Sequence, residues 1–135
     1  VRFSKRVEEA RLWIELREVF RNHTEAHLKL RRGGEWTNGD GGPQTPQEWA
    51  AVDAYLGQFE LCQTMVSKKL ISRDIFASQY DYRIHNILQN RKITEKIFRE
   101  RAEWKIFLEL CEDLGYTIKD KTSFENVQKY DGMRV

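Results

Sequence analysis

The sequence predicts an all-α fold, a helical bundle of four main helices plus a short fifth. Three observations carry this. Apolar residues recur at spacings of three and four along most of the chain, as they do on one face of a helix. Helix start and stop residues punctuate those stretches. No segment of useful length has the strict apolar–polar alternation of a half-buried strand.

The first helix is expected from about Ser4 to Arg32, with Ser4 as N-cap and Glu8 and Glu9 in its early turns. Leu12, Leu16, Val19, His23, Ala26 and Leu30 form one narrow stripe, widened by Trp13, Phe20 and His27. Such a helix would be about 42 Å long, whereas a domain of this size has a radius of gyration of about 14 Å. It must therefore cross the whole domain, bend, or project at its basic start, where Arg2, Lys5 and Arg6 lie outside the stripe. Residues 33–45 form a glycine-rich loop, from Gly33 to Pro43 and on to the next cap, that joins the two longest helices. Trp36 is unexpected there, because an indole in a loop is usually docked or used for binding.

The second helix begins at a capping box, Thr45-Pro46-Gln47-Glu48. Val52, Leu56, Phe59, Gln63 and Val66 make its stripe, flanked by Trp49 and Tyr55. Leu61 and Met65 fall on the opposite side, which suggests a central helix with neighbours on both faces. Ser72 caps a third helix through about Leu88, with Phe76, Ala77, Tyr80, Ile84, Ile87 and Leu88 inward. After a break near Asn90, Ile93 and Ile97 mark a short helix. Trp104, Phe107, Leu108, Cys111 and Leu114 form the face of a last one, stopped by Gly115. Residues 46–115 thus complete the bundle, and 116–135 read as a polar tail with one further turn around Phe124 to Tyr130.

The chain has 135 residues, 40% of them hydrophobic and 33% charged, which suits one globular helical domain spanning 1–135 and argues against disorder. With 23 basic and 21 acidic residues the net charge is only +2, which gives no general field for nucleic acid. Local basic clusters remain at Arg31-Arg32, Lys68-Lys69 and Arg99 with Arg101. Cys62 and Cys111 both lie in apolar helical patterns and read as buried reduced thiols, with a single disulfide as the alternative. No apolar run is long enough to span a membrane, and no signal peptide is visible.

No motif identifies a catalytic residue or a cofactor site. The nearest approach to a metal site is His23-Thr24-Glu25-Ala26-His27, whose histidines share a helical face. A metalloprotease helix has its glutamate directly after the first histidine. Here Glu25 points about 140° from the stripe centre, so a third ligand such as His85, Cys62 or Glu60 would have to come from elsewhere. The competing reading, which we favour, places His23 in a helix interface against a polar neighbour such as Gln63. The glycine loop lacks the Lys and Ser or Thr of a phosphate cradle and the spacing of a calcium loop, so it reads as a connector. Glu60 and Arg83 sit at the edges of facing stripes and are expected to form a partly buried structural ion pair that sets helix register. Ile75, Tyr82, Ile106 and Leu110 lie off their stripes, where they either cover a further helix or form a subunit interface, the latter being favoured.

Tyr55-Leu56-Gly57-Gln58-Phe59-Glu60, Lys69-Leu70-Ile71-Ser72, Tyr82-Arg83-Ile84 and the stretch from Trp104 to Gly115 together resemble a family of uncharacterised bacterial helical domains, over about Trp49 to Gly115. The resemblance implies landmark positions at Glu60 and Arg83, and a place after N-terminal membrane helices; it implies no activity. It gives the aromatic and basic start Val1 to Arg6 two equal readings, the inner edge of a membrane or an ordinary solvated helix start. The expected function is a protein-interaction or scaffold domain that binds a protein partner or a second copy of itself. It is expected in the cytoplasm, at the cytoplasmic face of a membrane if a tether precedes Val1. A metal-dependent enzyme using His23 and His27 is the alternative, followed by nucleic-acid binding through Arg31, Arg32, Lys68 and Lys69.

Overall fold

The computed structural model describes the backbone of residues 2–118 and 124–125 and the side chains of residues 4–117. The described residues form six α-helices: α1 (Arg2–Arg21), α2 (Thr24–Leu30), α3 (Pro46–Ser67), α4 (Arg73–Leu88), α5 (Arg91–Arg99) and α6 (Lys105–Asp113). A single 3₁₀ turn, Glu35–Thr37, lies in the glycine loop. A two-residue antiparallel pairing, Thr117 opposite Glu125 and Ile118 opposite Phe124, follows α6. The class is all-α, as expected, but the helix count differs. The expected turn from Phe124 to Tyr130 lies mostly outside the described residues, and its first two residues are extended.

The difference in count arises at Asn22–His23, where the expected first helix divides. The amides of Asn22 and His23 donate to the carbonyls of Val19 and Phe20, three residues back rather than four. His23 then leaves helical geometry at φ −111°, ψ 16°. Asn, His and Thr, the three residues at the break, are weak helix formers. The Thr24 hydroxyl donates to the Arg21 carbonyl at 2.8 Å and satisfies one of the acceptors that the end of α1 exposes. The break lets α2 turn onto α3 and α4, against both of which it packs. Nor is Ser4 the N-cap, because the chain is already helical from Arg2.

Helix α3 lies at the centre. Val52, Tyr55, Leu56, Phe59, Cys62, Gln63 and Val66 are buried along it, and its most extensive packing is with α6. Of the two residues expected to meet a second set of neighbours, Met65 is half-buried and packs against the core cluster, whereas Leu61 is exposed. The start of α3 is the expected capping box: Thr45 Oγ1 accepts from Glu48 N at 3.1 Å, and Glu48 Oε1 accepts from Thr45 N at 3.3 Å. Ser72 caps α4 through Ile75 N.

Helix α1 enters the core only through its second half, where Leu16 and Phe20 are buried, while Ser4 to Glu8 are exposed. Glu9 marks the changeover. Its Oε2 accepts from Trp13 Nε1 at 3.0 Å and from Ser72 N at 3.2 Å, which pins α1 to the start of α4. Helices α3 and α6 end in the same hydrogen-bond pattern. Lys69 N donates to Val66 O and Leu70 N to Met65 O after α3; Gly115 N donates to Glu112 O and Tyr116 N to Cys111 O after α6. Each pattern needs one left-handed residue, and the two are Lys69 at φ 61° and Gly115 at φ 95°.

Candidate functional site

The glycine loop is a built structure rather than a loose connector. Gly33 takes φ 83°, which glycine adopts without strain. A Cβ at Gly34 would collide with the carbonyl oxygens of Leu28 and Lys29, so the loop folds back directly on α2. The following 3₁₀ turn seats Trp36, only 5% exposed, in the core cluster. Lys29 Nζ lies 5.3 Å from the Trp36 ring centroid and bonds Glu25 and Glu48, each at 3.2 Å. Glu48 also accepts from Gln44 N and Thr45 N, and these backbone donors together with Lys29 hold its carboxyl below the usual range.

The far side of the loop is held by Asn90, the N-cap of α5. Its Oδ1 accepts from Ile93 N at 3.0 Å. Its Nδ2 donates to Trp36 O at 3.3 Å and to Gly41 O at 3.1 Å. One buried amide thus closes a helix end and two loop carbonyls at once.

Between loop and helices lies an open cleft of about 1010 Å³. The end of α2, the glycine loop, the last turns of α4 and the start of α5 line it. Leu30 and Trp36 contribute apolar surface. Thr37, Asn86, Gln89 and His85 contribute polar groups, and Arg32, Arg91, Lys92, Asp40 and Glu95 contribute charge. Arg91 is paired with Glu95 at 2.9 Å. Among the described residues, no carboxylate lies within ion-pair distance of Arg32 or Lys92. The Asn86 Nδ2 is buried without a hydrogen-bond partner. Sequence reasoning missed this cleft. The signals present were Trp36 among glycines and an asparagine at a helix break.

The two histidines face aromatic rings. His23 lies 5.5 Å from the Tyr55 ring, and His27 meets the Tyr82 ring edge-on at 5.8 Å. Burial lowers the pKa of both, and the nearby Arg83 lowers it further; Arg31 adds to this at His27, which falls to about 4. No group of three His, Cys, Asp or Glu side chains among the described residues is arranged to hold a metal. Gln63 bonds Asp113 at 2.8 Å rather than His23.

Glu60 and Arg83 do not pair. Glu60 faces α6, where its Oε2 accepts from Phe107 N at 3.1 Å. Trp104, at the N-cap of α6, has no acceptor with which to cap it. A carboxylate from α3 does so instead, and burial raises the Glu60 pKa despite that bond. Arg83 lies over Phe20, Tyr80 and Tyr82, with its central carbon 5.2, 5.8 and 6.0 Å from the ring centroids. The helical rotation that aims Glu60 at α6 leaves Arg83 with the aromatic residues of the α1–α4 contact.

Cys62 and Cys111 are free, buried thiols; burial pushes Cys62 up to about 12 and Cys111 well above its ordinary value. Of the off-stripe apolar residues, Ile75 and Ile106 are exposed, Tyr82 is half-buried and Leu110 is in the core. Ile14 is 68% exposed. Arg31, Arg32, Lys68 and Lys69 are all exposed. No helix among the described residues is long and apolar enough to cross a membrane. In comparisons with protein-family models, curated proteins and solved structures, nothing matches the chain.

Proposed function

We propose that the chain is a non-catalytic interaction domain and that the cleft beside the glycine loop is where its partner docks. The observation that carries this reading is the cleft's construction. Gly34 and Asn90 fix its walls, and Arg32 and Lys92 stand in it without acidic partners among the described residues. Ordered walls reduce the entropic cost of binding, and unpaired cations supply orientation. A protein segment fits an open cleft of this kind. The exposed Ile14, Leu61 and Ile106 provide further apolar contact, either to that partner or to a second copy of the chain. The resemblance to tethered bacterial domains favours a place at the cytoplasmic face of a membrane.

The test compares immobilised wild-type protein with a double variant, Arg32→Glu and Lys92→Glu, against the same cell extract. A protein retained by the wild type and lost by an equally stable variant supports docking in the cleft. Identical retention by both places the docking elsewhere and ends this reading.

A further inference from the structure

The walls of the cleft place two cations. Arg32 and Gly33 are the central residues of a tight turn, closed by Gly34 N donating to Arg31 O at 2.7 Å, and Gly33 takes the positive φ that such a turn needs. Lys92 lies in the first turn of α5. Its stem passes over Gly42 so closely that a Cβ there would come within 2.9 Å of Lys92 Cδ and 3.2 Å of Lys92 Cβ. The missing side chain at Gly42 is what lets this lysine lie along the loop. Arg32 follows α2 and Lys92 opens α5, so the two cations belong to different walls of one cleft of about 1010 Å³.

Three cations and two carboxylates line the cleft. Arg91 and Glu95 pair with each other at 2.9 Å, which leaves Arg32 and Lys92 against Asp40. Among the described residues, Asp40 is within ion-pair distance of neither. An occupant is therefore favoured by negative charge, but by little of it. A carboxylate or a pair of them balances the two cations, whereas a longer acidic run would meet Asp40 and Glu95. Single-stranded nucleic acid is the other polyanion to weigh. It carries a phosphate at every step and gains from open aromatic faces. Trp36 and His85, the two rings of the lining, are only 5% and 8% exposed. The exposed polar groups suit a peptide main chain instead. Gln89 can donate and accept, and the Thr37 hydroxyl, which donates to Gly34 O, can still accept. Resting on the docking reading above, we propose that the protein segment that docks in the cleft is acidic. Its main chain bonds Gln89 and Thr37, and one or two of its carboxylates reach Arg32 and Lys92.

The test selects short peptides from a random library on immobilised wild-type protein and maps the selected peptides by amide chemical shifts. Aspartate and glutamate should be enriched among them, and they should shift the amides of residues 37–41 and 89–92. Their affinity should fall about fivefold in Arg32→Gln and in Lys92→Gln, and it should fall with added salt. A single-stranded thymidine oligomer, titrated under the same conditions, should move those amides less. Peptides that map to the cleft without acidic enrichment overturn the acidic assignment and leave docking in the cleft standing. A stronger response to the oligomer overturns the choice of a protein segment. A selection that yields no peptide at the cleft overturns both the assignment and the docking reading. Composition and mapping need only wild-type protein, so the test survives a variant that does not fold.

Discussion

Asn90 donates to the carbonyl of Trp36 across 54 positions of sequence, and this bond is what makes the glycine loop a wall of the cleft. The same side chain caps α5. Asn90→Ala removes the cap and orphans two carbonyls together. The expected cost is about 2–3 kcal/mol, read from urea unfolding. Asn90→Asp keeps the cap and loses both donations, so it should fall between. Faster amide exchange in residues 37–41 should accompany both substitutions.

Lys69 occupies a backbone position that suits glycine. Lys69→Gly relieves left-handed strain at the end of α3 and should stabilise the protein by up to about 1 kcal/mol. Gly115→Ala, at the equivalent place after α6, should destabilise it by a similar amount. Paired thermal melts check the opposite signs.

Acid should weaken the fold through His27. Its pKa is 6.5 in the ordinary case and about 4 here, so the folded state binds the proton less tightly than the unfolded chain. Stability from this group is therefore complete above pH 6.5 and is lost as pH falls from 6.5 to about 4, levelling below. The loss over that window is on the order of 1–2 kcal/mol once solvent screening of the ring is allowed for. Denaturant unfolding at pH 7, 5.5 and 4 measures it, and His27→Leu should flatten the slope.

Glu60 caps α6 from a neighbouring helix. Glu60→Ala should cost about 1–2 kcal/mol and loosen the Lys105–Phe107 amides first. Glu60→Gln keeps an acceptor and should cost less. Arg83→Ala should leave those amides unchanged, because the two side chains act at different helix contacts.

The parts of the fold that local chemistry decides were legible. Thr45 with Glu48, Ser72 and Gly115 each satisfy backbone groups within a few residues, so their roles can be read from spacing. The break at Asn22–His23 could not be read this way. Leu16, His23, Ala26 and Leu30 stay in helical phase across it, and the gain from turning α2 onto α3 and α4 is tertiary. The pairing expected for Glu60 and Arg83 failed for a related reason. Each lies at a stripe edge, where a small rotation of the helix decides which neighbour it meets. The cleft was hidden because Asn90 and Trp36 become partners only after folding.

Trp36 is nearly buried yet lines the cleft, with the Lys29 ammonium over its ring. The protein therefore carries its own optical reporter at the place where docking is proposed. Of its four tryptophans, only Trp36 lines the cleft. The difference in emission between wild type and Trp36→Phe isolates the signal of that wall. Loop opening would shift it to the red as the indole meets water, and occupancy would change its intensity without a label.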